Sequence, residues 1–306
     1  MQRISNFIPV LLIVLSFGIF QTSCKSGTDS NTGSGDAVTL KLNFKPGDKY
    51  LYSTQVNQKI NSMGMDMDQN MLMEMVYEAA SDEGDNKKLT ITYEHVMMKN
   101  NTPMGTMEYD SKTPGKGEAA MSFMDSLIGK SFSLTVAPNG DIVKVEGLND
   151  LITSMAGTGD DATKAEINNQ FSDTAIKLMM QNSFDLYPGK AVKVGETWGK
   201  KSQMGFSGIN VEVENTYTLK SVANGKATVA ITSVMNLPST DMGGQAGIPM
   251  KIEMKGKQEG TMDVDVASGQ IVSGKTSQTI NGKMTANGQD MPMNIKGDII
   301  ISSKKM

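Results

Sequence analysis

The chain contains few of the residues on which most catalytic and metal-binding proteins rely. Its 306 residues include one cysteine, Cys24, and one histidine, His95. A single cysteine excludes an internal disulfide, and the two residues together exclude zinc sites of the Cys/His type and mechanisms that need two imidazoles. The Gly-x-Ser-x-Gly string of elbow-type hydrolases is also absent. We therefore expect a protein without enzymatic chemistry and without a cofactor.

Aromatic residues and net charge are scarce as well. Aromatics make up 6% of the chain whereas methionine occurs 26 times, so flexible thioethers replace Phe and Leu in much of the interior. The 29 basic and 33 acidic residues give a net charge of -4. This balance, without a basic run, argues against a nucleic-acid partner.

An unbroken apolar run occupies residues 7–20, a length typical of a secretory signal and too short to span a bilayer comfortably. Thr22 and Ser23 directly precede Cys24. The stretch after the cysteine is rich in Gly, Ser, Thr and Asn and is flexible by composition. Together these residues resemble the lipobox and tether of a bacterial lipoprotein, although Gln21 stands where an aliphatic residue is usual.

The lipobox resemblance implies a place in the cell for this protein. It implies a lipoprotein signal peptide at 1–23, lipidation of Cys24 as the link to the membrane, and a flexible tether at 24–37. Lys25 follows the cysteine where an acidic pair is associated with inner-membrane retention. The resemblance therefore implies anchoring to the outer membrane of a Gram-negative cell, facing the periplasm.

From Ala37 onward the dominant hydrophobic period is two, which is typical of half-buried strands. Alternate apolar residues occur in four stretches: Ile248, Met250, Ile252, Met254, Met262, Val264 and Val266; Ile209, Val211, Val213, Tyr217 and Leu219; Ala227, Val229, Ile231, Met235 and Leu237; Met291, Met293, Ile295, Ile299 and Ile301. The strings PNGD, ANGK, ASGQ and ANGQ, which begin at 138, 223, 267 and 286, indicate hairpin turns. The pattern predicts a mainly β fold, an antiparallel curved sheet or half-barrel with one solvated face.

Helical period appears only at 117–129 and 160–183. The two halves of the chain also echo each other, as in FKPGDKYLYS at 44–53 and VKVGETWGKK at 192–201. We therefore predict two related β units at 38–150, which includes the short helix 117–129, and at 187–306, with a helical segment at 151–186 between them.

Several strings resemble a family of uncharacterised, Met-rich Gram-negative lipoproteins classed as a domain of unknown function. They are KPGDKYLY, IGKSFSLTVAPNGDIVKVEGL, LYPGKAVKVGETW and GTMDVDVASGQIVSGKTSQTINGKM. The resemblance covers the mature chain and implies no activity, ligand or site residue. A weaker likeness, in architecture only, is to lipid and lipoprotein carriers of the LolA type, in which a curved sheet holds a greasy cavity.

Methionines occupy alternate positions of one predicted strand and share a face. We predict that Met65, Met67, Met71, Met73 and Met75, with Met250 and Met254, face a ligand cavity or the packed core. A copper alternative uses Met65, Met67, Met71 and Met73, because thioethers are soft ligands that suit Cu(I). The acids Asp66, Asp68 and Glu74 lie on the opposite face and cannot join such a site.

Two further features are weaker indications of a chemical function. The string GQIVSGKT at 269–276 fits the phosphate-loop pattern, but it continues a predicted β hairpin and no helix follows, so nucleotide binding is not expected. His95 lies in a predicted strand with Leu89, Ile91 and Tyr93, where its face is ambiguous, and a lone imidazole is more often structural than catalytic.

These observations predict a lipid-anchored cell-envelope protein that binds a hydrophobic small molecule or lipid, or acts as a structural or interaction module. The first alternative is a periplasmic Cu(I)-binding protein that uses the Met-rich strand. The second is a hydrolase whose site carries no recognisable signature.

Overall fold

The computed structural model describes residues 37–62, 64–113, 124–156, 173–206, 209–241 and 250–306. It contains fourteen strands: β1 (Val38–Thr39), β2 (Lys49–Ser62), β3 (Met65–Glu83), β4 (Asn86–Thr102), β5 (Gly105–Asp110), β6 (Ser131–Val136), β7 (Ile142–Glu146), β8 (Ala191–Val192), β9 (Thr197–Phe206), β10 (Ile209–Ala223), β11 (Lys226–Asp241), β12 (Met250–Asp265), β13 (Ile271–Ala286) and β14 (Gln289–Lys305). Two helices are described between β7 and β8, α1 (Leu148–Ala156) and α2 (Asp173–Gln181), on either side of residues 157–172, which are outside the described ranges.

Twelve of the strands form one antiparallel sheet. Its order is β7-β6-β4-β3-β2-β14-β13-β12-β11-β10-β9, and β5 pairs with the end of β4 that β6 leaves free. Most neighbours in the sheet are also neighbours in the chain, so the fold is a long meander, and β2 beside β14 joins its first and second halves. The predicted mainly β, antiparallel architecture is confirmed.

The sheet is strongly curved, as its two end strands show by approaching the same helix. α2 packs against both β7 and β9, which lie at opposite ends of the strand order. Lys200 on β9 reaches Asp141, beside β7, with 3.3 Å between Nζ and Oδ1, and donates to the carbonyl of Asn139 at 3.3 Å. No ladder joins β7 to β9 in the described part of the chain, so the sheet is curved but unclosed.

All four predicted turn strings connect consecutive strands of the sheet. Asn224 and Gly225 have φ angles of 52° and 74°, and Asn287 and Gly288 have 51° and 75°, as two-residue hairpin turns require. The strings at 138 and 267 connect β6 to β7 and β12 to β13. GQIVSGKT runs into β13, which confirms a strand in place of the helix that a phosphate loop needs.

The two halves repeat one local structure. In the turn before β2, Lys45 N donates to the Asp48 carboxylate at 2.9 Å, and Gly47 N donates to the carbonyl of Ala79 at 2.8 Å. The turn before β9 repeats both bonds, from Lys193 N to the Glu196 carboxylate at 2.7 Å and from Gly195 N to the carbonyl of Leu219 at 2.8 Å. Gly47 and Gly195 share a φ of 89°. The first echo in the sequence is therefore also an echo in structure, while duplication of the whole units stays a prediction.

The helical predictions have mixed outcomes. α2 lies inside the predicted helical stretch 160–183, of which residues 160–172 are outside the described residues. Of the predicted helix 117–129, the described part is a single helical turn at 124–127. α1 lies outside the two stretches of helical period, but its residues 151–156 fall within the predicted helical segment 151–186, and only its first three residues precede that segment.

The N-terminal predictions fall outside the described residues. The signal peptide at 1–23, Cys24 and all but the last residue of the tether therefore stay predictions. Neither described helix has the length and apolar character needed to cross a bilayer.

Candidate ligand-binding site on the concave face

A row of polar or small residues crosses the concave face of the sheet at one level. The pairing register places the following residues opposite one another on eight consecutive strands, from β4 to β10: Asn100, Gln69, Gln58, Gly297, Gln278, Gln258, Ser233 and Asn215. We call these eight residues the amide row. All of them except the glycine are at most 6% exposed. The interior is therefore not uniformly apolar.

Side chains of the amide row are hydrogen-bonded head to tail. Gln258 Nε2 donates to Gln278 Oε1 at 3.3 Å, Gln278 Nε2 donates to Gln58 Oε1 at 3.2 Å, and Gln58 Nε2 donates to Gln69 Oε1. Gln278 and Gln58 are two strands apart, and they meet because Gly297 between them has no side chain. This chain of bonds engages three amide nitrogens and three amide oxygens of the row, while Gln69 Nε2 and Asn100 Oδ1 are buried without a hydrogen-bond partner among the described residues.

The amide row separates two apolar clusters. The smaller cluster includes Ile60, Val213, Met235, Ile280 and Ile295, each two residues from a member of the row. The larger cluster covers the other side of the row and extends to the segment that follows α2. The boundary between them is where a ligand could contact apolar and polar groups together.

A cavity of about 70 Å³ lies beside the amide row, within the larger cluster, and is partly open to solvent. The volume is several times the roughly 10–15 Å³ that one water molecule needs. Its lining is Leu42, Phe44, Tyr52, Thr54, Met75, Tyr77, Asn182, Ser183, Phe184, Tyr187, Val213, Asn215, Tyr217, Ile231, Ser233, Gln258, Met262, Ile271 and Ile301. None of these described lining residues is charged.

The rare aromatic residues of the chain are concentrated at this cavity. The chain has seven tyrosines, of which Tyr52, Tyr77, Tyr187 and Tyr217 line the cavity. Burial raises the pKa of all four above the ordinary tyrosine value. A phenol with its ordinary pKa near 10 is already neutral at physiological pH, and the raised pKa values keep these phenols neutral to higher pH.

The segment after α2 forms one wall of the cavity and is held from several sides. Gln181 Nε2 donates to the carbonyl of Gly140 at 3.0 Å, and Trp198 Nε1 donates to the carbonyl of Leu186 at 3.0 Å. A Cβ on Gly140 would lie 1.8 Å from the carbonyl oxygen of Phe184, so the close approach requires glycine. These contacts place the wall firmly against both ends of the curved sheet.

Asn182 and Asp185 are the two side chains of this wall that each leave one buried polar atom without a hydrogen-bond partner among the described residues. Asn182 Oδ1 accepts a hydrogen bond from Ser202 Oγ at 2.6 Å. Its Nδ2 is buried and has no hydrogen-bond partner among the described residues. A donor in this state costs free energy unless something else accepts from it.

The predicted methionines lie on the concave face but do not form one site. Met75 lines the cavity, and Met73 packs against the larger cluster. Met67 and Met254 belong to the smaller cluster on the far side of the amide row. The remaining three, Met65, Met71 and Met250, are half-buried. The stripe is therefore interrupted by Gln69, which the structure places between Met67 and Met71.

The copper alternative stays a prediction. Met71 is directly opposite Met98 in the ladder, and Met73 follows on the same face, so thioethers do approach one another there. In the described residues no group of three or more His, Cys, Asp and Glu side chains is arranged so that it could hold a metal ion.

His95 lies on the outer, convex face. A bulge leaves Glu94 without a partner in the ladder and turns His95 outward, while Tyr93 and Val96 face inward. Its Nδ1 is 3.1 Å from Glu74 Oε2 and its Nε2 is 2.8 Å from Asp110 Oδ1. The backbone N–H of Lys112 and the imidazole hold the pKa of the Asp110 carboxyl below its usual value. Sequence spacing left the face of His95 open, because it does not reveal a bulge.

Neither the amide row nor the cavity wall that the segment after α2 forms was predicted from the sequence. A signal was present, because the apolar alternation skips one position at Asn215, Ser233 and Gly297, and skips three around Gln258, between Met254 and Met262. Only the register shows that these gaps lie side by side.

Comparison with known protein families identifies the family of this chain. Residues 84–271 match the model of a family of unknown function, DUF6263. The chain belongs to this family. No curated protein matches it.

Solved structures resemble this chain to different degrees. A structure titled "Lipid-protein interactions in lipovitellin" has a TM-score of 0.50 at 11% identity, over 85% of this chain and 25% of that chain. The chain thus spans a quarter of the lipovitellin chain, and the likeness concerns the fold. The translocator domain of the autotransporter NalP from Neisseria meningitidis is 8% identical with a TM-score of 0.22, over 85% of this chain and 89% of that chain. OccK7 from Pseudomonas aeruginosa is 8% identical with a TM-score of 0.23, over 86% of this chain and 100% of that chain.

Proposed function

We propose that this protein binds a hydrophobic small molecule, or part of a lipid, in the cavity on the concave face of its sheet. The observation that carries the proposal is the concentration of aromatic side chains around a partly open cavity in a chain with 6% aromatics. Binding sites for small molecules are concave, mostly apolar and furnished with a few polar groups. The lining of aromatics, aliphatics and amides has this composition.

The size of the cavity limits what it takes without rearrangement. About 70 Å³ accommodates a ring or the end of a chain, while a whole lipid needs more room. Met75 and Met262 line the cavity, and unbranched thioethers repack around a guest more readily than branched side chains. The fold shared with lipovitellin, a structure whose title concerns lipid–protein interactions, is compatible with a lipid as the guest.

The same proposal places the protein on the cell envelope. It rests on the lipobox-like residues before Cys24 and on the tether composition after it. Cys24→Ala should move the protein from the membrane fraction to the soluble fraction and abolish incorporation of labelled fatty acid. Continued labelling of the variant would contradict anchoring at this residue.

Filling the cavity tests the binding proposal. Ile301 lines the cavity, and its neighbour Ile300 points to the opposite face with 36% of its surface exposed. Trp198 is the only tryptophan, and its ring stacks on Tyr217 of the cavity wall with 5.6 Å between ring centroids. Energy transfer from Trp198 to 1-N-phenylnaphthylamine therefore reports binding of this probe to the protein, and variants of Ile301 and Ile300 locate that binding.

We expect Ile301→Phe to weaken probe binding several-fold, because the added ring occupies the space that the probe needs. Ile300→Phe, on the outer face, should bind the probe like the wild type. Thermal unfolding of both variants checks that they remain folded. Equal affinity in the two variants, or no saturable transfer in the wild type, would refute binding in this cavity.

A further inference from the structure

One end of the sheet is closed by the residues that follow the predicted tether. Residues 38–48 cross this end from β1, which pairs with β8, to the start of β2. Asn43 N donates to the carbonyl of Ser268 in the β12–β13 turn, and Val266 N of that turn donates to the carbonyl of Gly225 in the β10–β11 turn, each at 2.9 Å. We call the connected surface the tether end, and it comprises residues 38–48, 190–196, 220–226, 265–270 and 303–306.

Lysines without an ion-pair partner are concentrated at the tether end. Of the 25 lysines that the structure describes, 14 form an ion pair with another described residue and 11 do not. Seven of these 11 belong to the tether end, and all seven are exposed: Lys41, Lys45, Lys190, Lys193, Lys220, Lys226 and Lys304. The five stretches contain eight lysines and three acids, in a chain whose net charge is -4.

The acids at this end do not cancel the excess of lysine. Asp48 forms an ion pair with a lysine of β14 at 2.6 Å, and the carboxylates of Glu196 and Asp265 accept from backbone N–H groups of their own turns. Two further turns lie at the same level of the sheet, 83–88 and 137–141, and together they add two lysines and three acids. The surface as a whole is therefore positive.

The tether end also exposes apolar side chains. Large apolar residues are exposed at seven described positions, and three of these lie here: Val194, Val222 and Met306. Val194 is 50% exposed and Met306 is 69% exposed. A surface that presents lysines together with apolar side chains is typical of proteins that rest on anionic membranes.

The position of the tether gives this surface a partner. The predicted lipid anchor, Cys24, lies 14 residues before Val38, which opens the tether end. A flexible chain of this length spans roughly 20 Å on average. The anchor would therefore hold the lysines near the bilayer, where anionic headgroups attract them over a screening length of about 8 Å.

We propose that the tether end docks on anionic phospholipid headgroups, with its unpaired lysines at the phosphates and its exposed apolar side chains at the headgroup boundary. This inference rests on the proposed function, because the lipid anchor brings the surface to the membrane. Leu42 and Phe44, which belong to the tether end, line the cavity. Docking would therefore turn the cavity toward the bilayer that holds hydrophobic ligands.

Energy transfer from Trp198 measures how close the tether end lies to a bilayer. Trp198 is the only tryptophan and lies two residues beyond the tether end. The purified full chain is reconstituted in vesicles that carry dansyl-phosphatidylethanolamine as the acceptor, in phosphatidylcholine alone or with about a third phosphatidylglycerol. We expect roughly twofold higher transfer in the anionic vesicles, and salt at about 1 M, where the screening length falls to about 3 Å, should remove this gain.

Two quadruple variants with the same change in charge locate the contact. Removal of four unpaired lysines of the tether end should abolish the gain in transfer, with the substitutions Lys41→Gln, Lys190→Gln, Lys193→Gln and Lys226→Gln. The control removes the four unpaired, exposed lysines outside the tether end and should keep the gain: Lys130→Gln, Lys177→Gln, Lys255→Gln and Lys296→Gln. Circular dichroism checks that both variants are folded, as expected for exposed substitutions.

The outcomes separate docking from anchoring. Equal transfer in the two kinds of vesicle for the wild type, or an equal loss of the gain in both variants, would overturn docking on lipid and leave the surface to another partner. The comparison of lipids and salt needs no variant, so it decides even if a variant does not fold. Association with anionic vesicles alone would support docking and count against the anchor, and association with neither kind would overturn both.

Discussion

Gly297 shows how a single missing side chain connects distant strands. It lies on β14 between Gln278 and Gln58, and those two side chains bond across it. A Cβ at this position would lie 2.6 Å from both the carbonyl oxygen of Asn57 and the Cβ of Gln58. Intrinsic strand preference favours alanine over glycine, so propensity and packing give opposite expectations at this residue.

We expect packing to decide, so that Gly297→Ala lowers the free energy of unfolding by about 1–3 kcal/mol, the usual cost of overpacking. Urea denaturation measures the loss. Gly199→Ala on β9 is the control, because a Cβ there lies 3.6 Å from its nearest neighbour, the carbonyl oxygen of Asn215, an ordinary contact. A Gly297→Ala variant as stable as the wild type would show that the sheet yields locally and that the row tolerates a side chain there.

At the scale of elements, His95 ties three strands together. Its ring belongs to β4, Glu74 to β3 and Asp110 to the end of β5, and Lys112 reaches Glu74 with 3.2 Å between Nζ and Oε2. The imidazole side chain is only 8% exposed. Removing it leaves two carboxylates close together without the ring between them, which is more costly than losing the two bonds alone.

We expect His95→Leu to lower the free energy of unfolding by about 2–4 kcal/mol. Glu94→Gln, at the exposed neighbouring residue in the bulge, should stay within about 0.5 kcal/mol of the wild type. Hydrogen exchange should show the larger effect in β5, because it pairs only with the end of β4 in the described sheet. Equal protection of β5 in the wild type and His95→Leu would contradict this role.

Elements were predictable from the sequence where local physics determines them. Alternation predicted β10, β11, β12 and β14, and Asn-Gly pairs predicted the β10–β11 and β13–β14 hairpins, because both signals depend on neighbours along the chain. The amide row depends on which residue faces which across eight strands, and a register shift of one position would destroy it. The bulge that turns His95 outward has the same origin, so the outer cluster could not be placed from spacing.

The candidate site was predictable in part for the same reason. The sequence assigned the stripe from Met65 to Met75 to one face correctly, and Met75 does line the cavity. The wall from Asn182 to Tyr187 reaches the cavity only because the sheet curves and brings β7 and β9 to α2. Curvature accumulates over the whole sheet, and no short stretch of sequence reports it.

At the scale of the whole molecule, the tyrosines link folding to alkaline pH. The chain has seven, and burial is the main cause of a raised pKa for each of Tyr50, Tyr52, Tyr77, Tyr93, Tyr109, Tyr187 and Tyr217. For Tyr93 the pKa rises to about 12. In the unfolded chain these phenols ionise near pH 10.

The direction in which stability changes with pH follows from the difference between the native and unfolded pKa values of the tyrosines. Below pH 10 the phenols are neutral in both states, so their contribution to stability is fully present. As the pH rises from 10 toward the raised native values, only the unfolded chain ionises, and each pH unit costs about 1.4 kcal/mol per tyrosine kept neutral. With several such residues, stability falls steeply above pH 10.

We therefore expect absorbance at 295 nm, which reports tyrosinate, to stay flat until the protein unfolds, and then to rise together with the loss of the β circular dichroism signal. The chain in concentrated urea is the control, because there the seven phenols should titrate near pH 10. Tyrosinate that forms near pH 10 while the dichroism remains native would contradict the burial of these side chains. It would also contradict the neutral cavity wall, since four of the seven tyrosines form part of it.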